Sequence, residues 1–68
     1  MQIKLNGEST EIPEKTTISQ LLTQLQFTPD RVAVERNLEV APRESYNTTE
    51  LGEGDQIEIV HFIGGGAR

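Results

Sequence analysis

The sequence contains no cysteine, a single histidine and only 4 % aromatic residues. Without cysteine there is no disulfide framework, no thiolate metal site and no redox thiol, which suits a reducing compartment. One histidine leaves His-based metal sites and Ser/His/Asp triads short of parts. No apolar run approaches the roughly 20 residues of a membrane span. The opening Met1-Gln2-Ile3-Lys4-Leu5 lacks the charged-then-apolar layout of a signal peptide. Positive charge is scarce as well: six Lys+Arg stand against eleven Asp+Glu, for a net charge of −5. Binders of nucleic acid or of anionic membrane want the opposite sign. These absences predict a cytoplasmic chain with no nucleic-acid partner, no membrane partner and no bound metal.

What is present amounts to one small domain. A chain of 68 residues buries only about 60 % of its unfolded surface, so its core is thin. It has little room for an enclosed pocket of its own. A carrier, an adaptor or a small subunit is favoured over a self-sufficient enzyme.

The pattern of residues predicts the elements in order. Ile3 and Leu5 alternate with Gln2 and Lys4, the period of a half-buried strand. Asn6-Gly7 is a strong hairpin signal, since a type I′ turn needs positive φ at both central residues. Residues 8–12 then form the returning strand, with Ile12 inward. Thr17 and Gln20 make a capping box. Ile18, Leu21, Leu22 and Leu25 follow at helical spacing, so a helix is expected over 17–26, ending before Pro29. Strands are expected at 31–36, 38–41 and 56–63, with an irregular or 3₁₀ connection over 42–50. The last of these strands, QIEIVHFI, is the most β-prone run in the chain.

A hairpin, one helix and further strands predict an α+β fold of β-grasp (ubiquitin-like) type. One main helix packs on one face of a mixed sheet of four or five strands. The expected division is a β-grasp domain at 1–63 and a flexible Gly-rich C-terminal tail at 64–68. Gly64, Gly65 and Gly66 close the strong final strand. Such an end is either an inert terminus or a thin reactive one. Glycine has no side chain, so a Gly-Gly segment can thread a narrow channel and present a carboxylate to another protein's active site.

Beyond its tail, VAVERNLEVAPRESY (32–46) and GEGDQIEIVHFIGGG (52–66) resemble the ThiS family of sulfur carriers. MQIKLNGE and the T-x-x-x-L-L pattern from Thr17 to Leu22 are similar to it too. The resemblance runs from Met1 to Gly66. It implies a protein substrate that is not itself an enzyme and that serves formation of the thiamine thiazole. An E1-like adenylyltransferase (ThiF-type) would use ATP to adenylate the terminal carboxylate. Sulfur supplied via a cysteine desulfurase would convert it to a covalent thiocarboxylate. Thiazole synthase (ThiG-type) would take that sulfur. Mapped here, the adenylation and thiocarboxylate site is Gly66, and Gly64, Gly65 and Gly66 thread the partner active sites; no cofactor is bound by the carrier itself. The chain departs from the family by continuing with Ala67-Arg68. The expectation is that these residues are removed before the carboxylate reacts.

Val60 and Phe62 share one parity of the last strand and Ile57 and Ile59 the other. If the isoleucines face the helix, Ala33, Val60 and Phe62 form an apolar partner surface beside the tail. His61 lacks triad partners and reads as an ordinary strand histidine. Glu53, Asp55 and Glu58 are either a cluster for a basic partner or an acidic solubilising surface. Arg43 either holds a backbone turn or meets a partner. The competing functions are a MoaD-like small subunit of molybdopterin synthase, another sulfur carrier, and a non-catalytic ubiquitin-like interaction module.

Overall fold

Asn6 (φ 49°) and Gly7 (φ 86°) both take positive φ, as a type I′ turn demands. They join β1 (Gln2–Leu5) to β2 (Glu8–Glu11) in an antiparallel hairpin that sets Leu5 opposite Glu8. The computed structural model describes residues 1–62. The expected end of the last strand at Ile63 and the whole tail, Gly64 to Arg68, lie outside the described residues. The expected strand 8–12 is one residue shorter, but Ile12 is buried as anticipated and its N–H donates to the Met1 carbonyl at 2.9 Å.

The helix α1 spans Ile18–Gln24. Thr17 is its N-cap, and the capping box forms in both directions: the Gln20 N–H donates to Thr17 Oγ1 at 3.1 Å, and the Thr17 N–H donates to Gln20 Oε1 at 3.0 Å. The next two donors of the first turn also find partners. The Ile18 and Ser19 N–H groups donate to the carbonyls of Thr49 and Tyr46, so the connection over 42–50 closes the helix start. The helix ends earlier than expected, and Pro29 is not what stops it. Gln26 turns left-handed at φ 65°. The Phe27 N–H then reaches the Leu22 carbonyl at 2.9 Å and the Gln26 N–H the Thr23 carbonyl at 3.0 Å, a Schellman ending. Leu25, expected in the apolar stripe, is therefore 37 % exposed. Phe27 packs against the core instead.

A 3₁₀ turn at Pro29–Arg31 leads into β3 (Val32–Arg36), β4 (Glu39–Val40), a second 3₁₀ turn at Arg43–Ser45, and β5 (Gln56–His61). The strand order is β2-β1-β5-β3-β4. β1 and β5 are parallel, and every other pairing is antiparallel. This is the expected β-grasp arrangement, with the last strand at the centre of the sheet. α1 covers one face through Ile18, Leu21 and Leu22, which meet Ile3, Val32, Val34, Ile57 and Ile59 in the core. Tyr46 and Leu51 complete that core from the aperiodic connection, where no pattern marked them. Among the described residues no helix is long and apolar enough to cross a membrane.

Candidate functional site

Among the described residues, nothing covers the face of the sheet away from α1. Alternation along β5 sends Ile57 and Ile59 into the core and leaves Gln56, Glu58 and Val60 exposed. Register sets Ala33 of β3 directly opposite Val60. The Phe62 N–H donates to the Arg31 carbonyl at 2.8 Å, which extends the β3–β5 ladder past His61 and carries Phe62 onto the Val60 side. Val60 is 56 % and Phe62 47 % exposed. Ala33, Val60 and Phe62 are thus together on the open face, where the chain leaves the sheet towards Ile63. Gly64, Gly65 and Gly66, the expected reactive tail, lie outside the described residues.

His61 points the other way. Its ring stacks on Phe27 with centroids 5.3 Å apart and planes 28° apart. Among the described residues neither a carboxylate nor a nucleophile is hydrogen-bonded to it. Among the described residues no group of His, Asp and Glu is arranged to hold a metal ion.

The acidic residues near β5 do not form one cluster. Asp55 is turned inward, where Oδ2 accepts from the Gly52 N–H at 2.7 Å and from Arg36 Nε at 2.9 Å, and Oδ1 from Asn37 Nδ2 at 3.2 Å. Burial pushes its carboxyl up. The Gly52 N–H, Arg36 and Asn37 outweigh that and hold it below the usual carboxylate range. Glu53 accepts the Gln2 N–H at 3.0 Å at the start of β1. Glu58 alone faces the open side, opposite Glu35. Arg43 proves to be a backbone clip: Nε donates to the Pro29 carbonyl and Nη2 to the Val32 carbonyl, both at 3.1 Å.

Two exposed residues on the β3–β4 hairpin escaped the sequence reading. Leu38 is 81 % and Val40 70 % exposed. The signal that marks them is the dipeptide Asn37-Leu38 in a two-residue turn whose second position favours glycine.

The model of the ThiS family matches residues 3–66. The thiazole synthase of Magnetococcus marinus is 53 % identical over 66 residues, which are 97 % of this chain and 20 % of that protein. The thiazole synthase of Paramagnetospirillum magneticum is 43 % identical over 67 residues, 98 % of this chain and 21 % of that protein. The chain therefore spans about a fifth of the length of these curated relatives. The sulfur carrier protein ThiS of Bacillus subtilis is 45 % identical over 65 residues, 94 % of this chain and 98 % of that one. The crystal structure of a thiamine biosynthesis protein (ThiS) from Geobacter metallireducens superposes with a TM-score of 0.83 at 33 % identity, covering 97 % of this chain and all of that one.

Proposed function

The chain belongs to the ThiS family, and from that premise we propose that it is a sulfur carrier for thiamine thiazole formation. The observation that carries the reading is the family match, which runs unbroken through the glycines to Gly66. The folded domain is the handle and the tail the reactive end. An E1-like adenylyltransferase joins the Gly66 carboxylate to AMP and releases pyrophosphate from ATP. Adenylation is needed because a carboxylate would otherwise have to expel oxide. Sulfur supplied via a cysteine desulfurase as a persulfide then displaces AMP to form an acyl disulfide. A second thiol cleaves its S–S bond, leaving a disulfide on the donor and the thiocarboxylate on the carrier. That species is a competent nucleophile near neutral pH and delivers sulfur to thiazole synthase.

Two further features support the reading. Ala33, Val60 and Phe62 place an apolar patch beside the exit of the tail, where a partner that handles the tail must dock. The thiazole synthases that match over a fifth of their length support that enzyme as the partner. In this reading Ala67 and Arg68 are removed before activation, because the long Arg68 side chain does not suit a glycine-sized channel.

Intact mass of the protein isolated from its own cells tests the proposal. The expected species ends at Gly66, part of it with one oxygen replaced by sulfur. A single unmodified species that retains Ala67 and Arg68 after Gly66 refutes the carrier reading.

A further inference from the structure

The backbone that Arg43 clips also carries the last rung of β5. β4 is only two residues long and leaves the outer edge of β3 short of partners. On that edge the Ala41 N–H donates to the Val34 carbonyl at 2.9 Å. Carbonyls along a strand alternate in direction, so the next one on the same edge is that of Val32. It accepts from Arg43 Nη2 at 3.1 Å, while Nε reaches back to the Pro29 carbonyl, also at 3.1 Å. One side chain thus continues the edge pairing beyond β4 and ties the start of β3 to the 3₁₀ turn before it. Asp30, inside that turn, lies 3.9 Å from the same guanidinium.

Arg31 stands between the two carbonyls that Arg43 holds. Its own carbonyl accepts the Phe62 N–H at 2.8 Å. Its N–H is committed to the Thr28 carbonyl, also at 2.8 Å, so it cannot return the bond, and Pro29 has no N–H to offer. The Phe62–Arg31 bond is therefore the final rung of the ladder among the described residues. On the helix side the His61 ring is stacked on Phe27. Both holds on the root of the tail come from the stretch 27–31, and Arg43 fixes that stretch.

We propose that Arg43 is a positioning residue for the chemistry at Gly66, acting through Arg31 to set the point from which the tail is delivered. The proposal rests on the carrier reading above and deepens it. Residues 63–66 span at most about 14 Å. Bonded pairs alternate in an antiparallel ladder, so the next one inward lies at Val60 and Ala33. Loss of the last rung releases His61 and Phe62 and lengthens the tether by up to about 7 Å. Delivery of a carboxylate over so short a tether depends on where the tether starts, since a misplacement of about 1 Å can cost about a hundredfold in rate. Ala33 and Val60 stay paired, so docking is little changed.

The test reads two quantities. Exchange of the Phe62 amide hydrogen is followed by NMR in the full chain, with the Ile59 amide, bonded to Asn6, as the internal reference. Pyrophosphate release by the E1-like adenylyltransferase of the same source is measured on the form that ends at Gly66. Arg43→Ala is expected to speed Phe62 exchange about tenfold relative to Ile59. It should lower kcat about tenfold with KM little changed. Arg43→Lys, which puts one nitrogen where Arg43 puts two, should fall between Arg43→Ala and the wild type, and it decides the matter should Arg43→Ala not fold. Arg36→Ala loses an ion pair with Asp55 at the opposite end of β3. It is the control for lost stability and should leave both readouts unchanged well below its Tm. Unchanged Phe62 exchange in the Arg43 variants overturns the proposal. Faster exchange with unchanged kcat overturns the positioning role and leaves Arg43 a clip. A wild type that supports no pyrophosphate release counts against the carrier reading instead, while the exchange measurement still judges the hold on Phe62.

Discussion

Asn6 is bonded through its side chain to both backbone groups of Ile59: Oδ1 accepts the Ile59 N–H at 2.8 Å and Nδ2 donates to the Ile59 carbonyl at 3.4 Å. The residue thereby does two jobs. Its backbone makes the left-handed turn that ends β1, and its amide continues the β1–β5 pairing for one step after β1 has turned away. Two substitutions separate these jobs. Asn6→Gly keeps the turn and loses the amide, so it is expected to cost about 1–2 kcal/mol. Asn6→Ala loses the amide and adds left-handed strain, and is expected to cost about 1 kcal/mol more. Urea unfolding of the two variants checks the order. Equal losses would show that the side-chain bonds carry the whole effect.

Asp55 makes stability depend on acidity. Its carboxyl is held below the usual carboxylate range in the folded chain. Protonation therefore favours the unfolded state, which binds the proton more readily. The Asp55 contribution is fully present above the ordinary carboxylate range. It is lost as pH falls through that range to the lower folded value. Urea midpoints measured from neutral pH downward should decline less steeply in Asp55→Asn than in the wild type. Parallel curves would mean that the Gly52, Arg36 and Asn37 contacts do not favour the ionised form.

The early end of α1 makes an unequal pair of two leucines that look equivalent in the sequence. Leu22 is fully buried, and Leu25 is 37 % exposed. Leu22→Ala is expected to cost about 2–5 kcal/mol through the cavity it leaves. Leu25→Ala should cost about 1 kcal/mol or less. Similar losses would place Leu25 back in the core and the helix end further on.

Val60 tests the patch beside the tail. It is 56 % exposed, so Val60→Lys should change stability by only about 0.5 kcal/mol. Binding to thiazole synthase should weaken about tenfold, as for loss of an apolar anchor. Unfolding and titration on the same preparation check both halves. Unchanged binding would remove the patch from the docking surface.

The parts of this molecule that were legible in its sequence are those where one local rule decides. Asn6-Gly7, the Thr17–Gln20 box and the alternation of Ile57, Ile59 and Val60 each follow from geometry within a few residues. Parity along β5 puts Val60 and Phe62 on one face, and the β3–β5 register adds Ala33 to them. What was hidden depends on distant groups. The helix stops through a left-handed Gln26, a residue with no special liking for that conformation, and Pro29 drew attention away from it. Tyr46 and Leu51 are buried by the path of a connection that has no period. Asp55 read as a surface acid, because nothing nearby announces that Arg36, Asn37 and the Gly52 N–H converge on it. Leu38 is hidden for the opposite reason: a lone leucine beside a turn is ordinary until its φ of 72° is known.

The central place of β5 has a mechanical consequence. A pull applied beyond Phe62 runs along a strand bonded on one side to β1 and on the other to β3. Withdrawing it requires both ladders to shear together, whereas an edge strand would peel away one bond at a time. Forced unfolding is governed by the height of the unfolding barrier, and a load shared between two ladders raises it. An enzyme that grips the chain beyond Phe62 can therefore tug on it without unravelling the domain behind it.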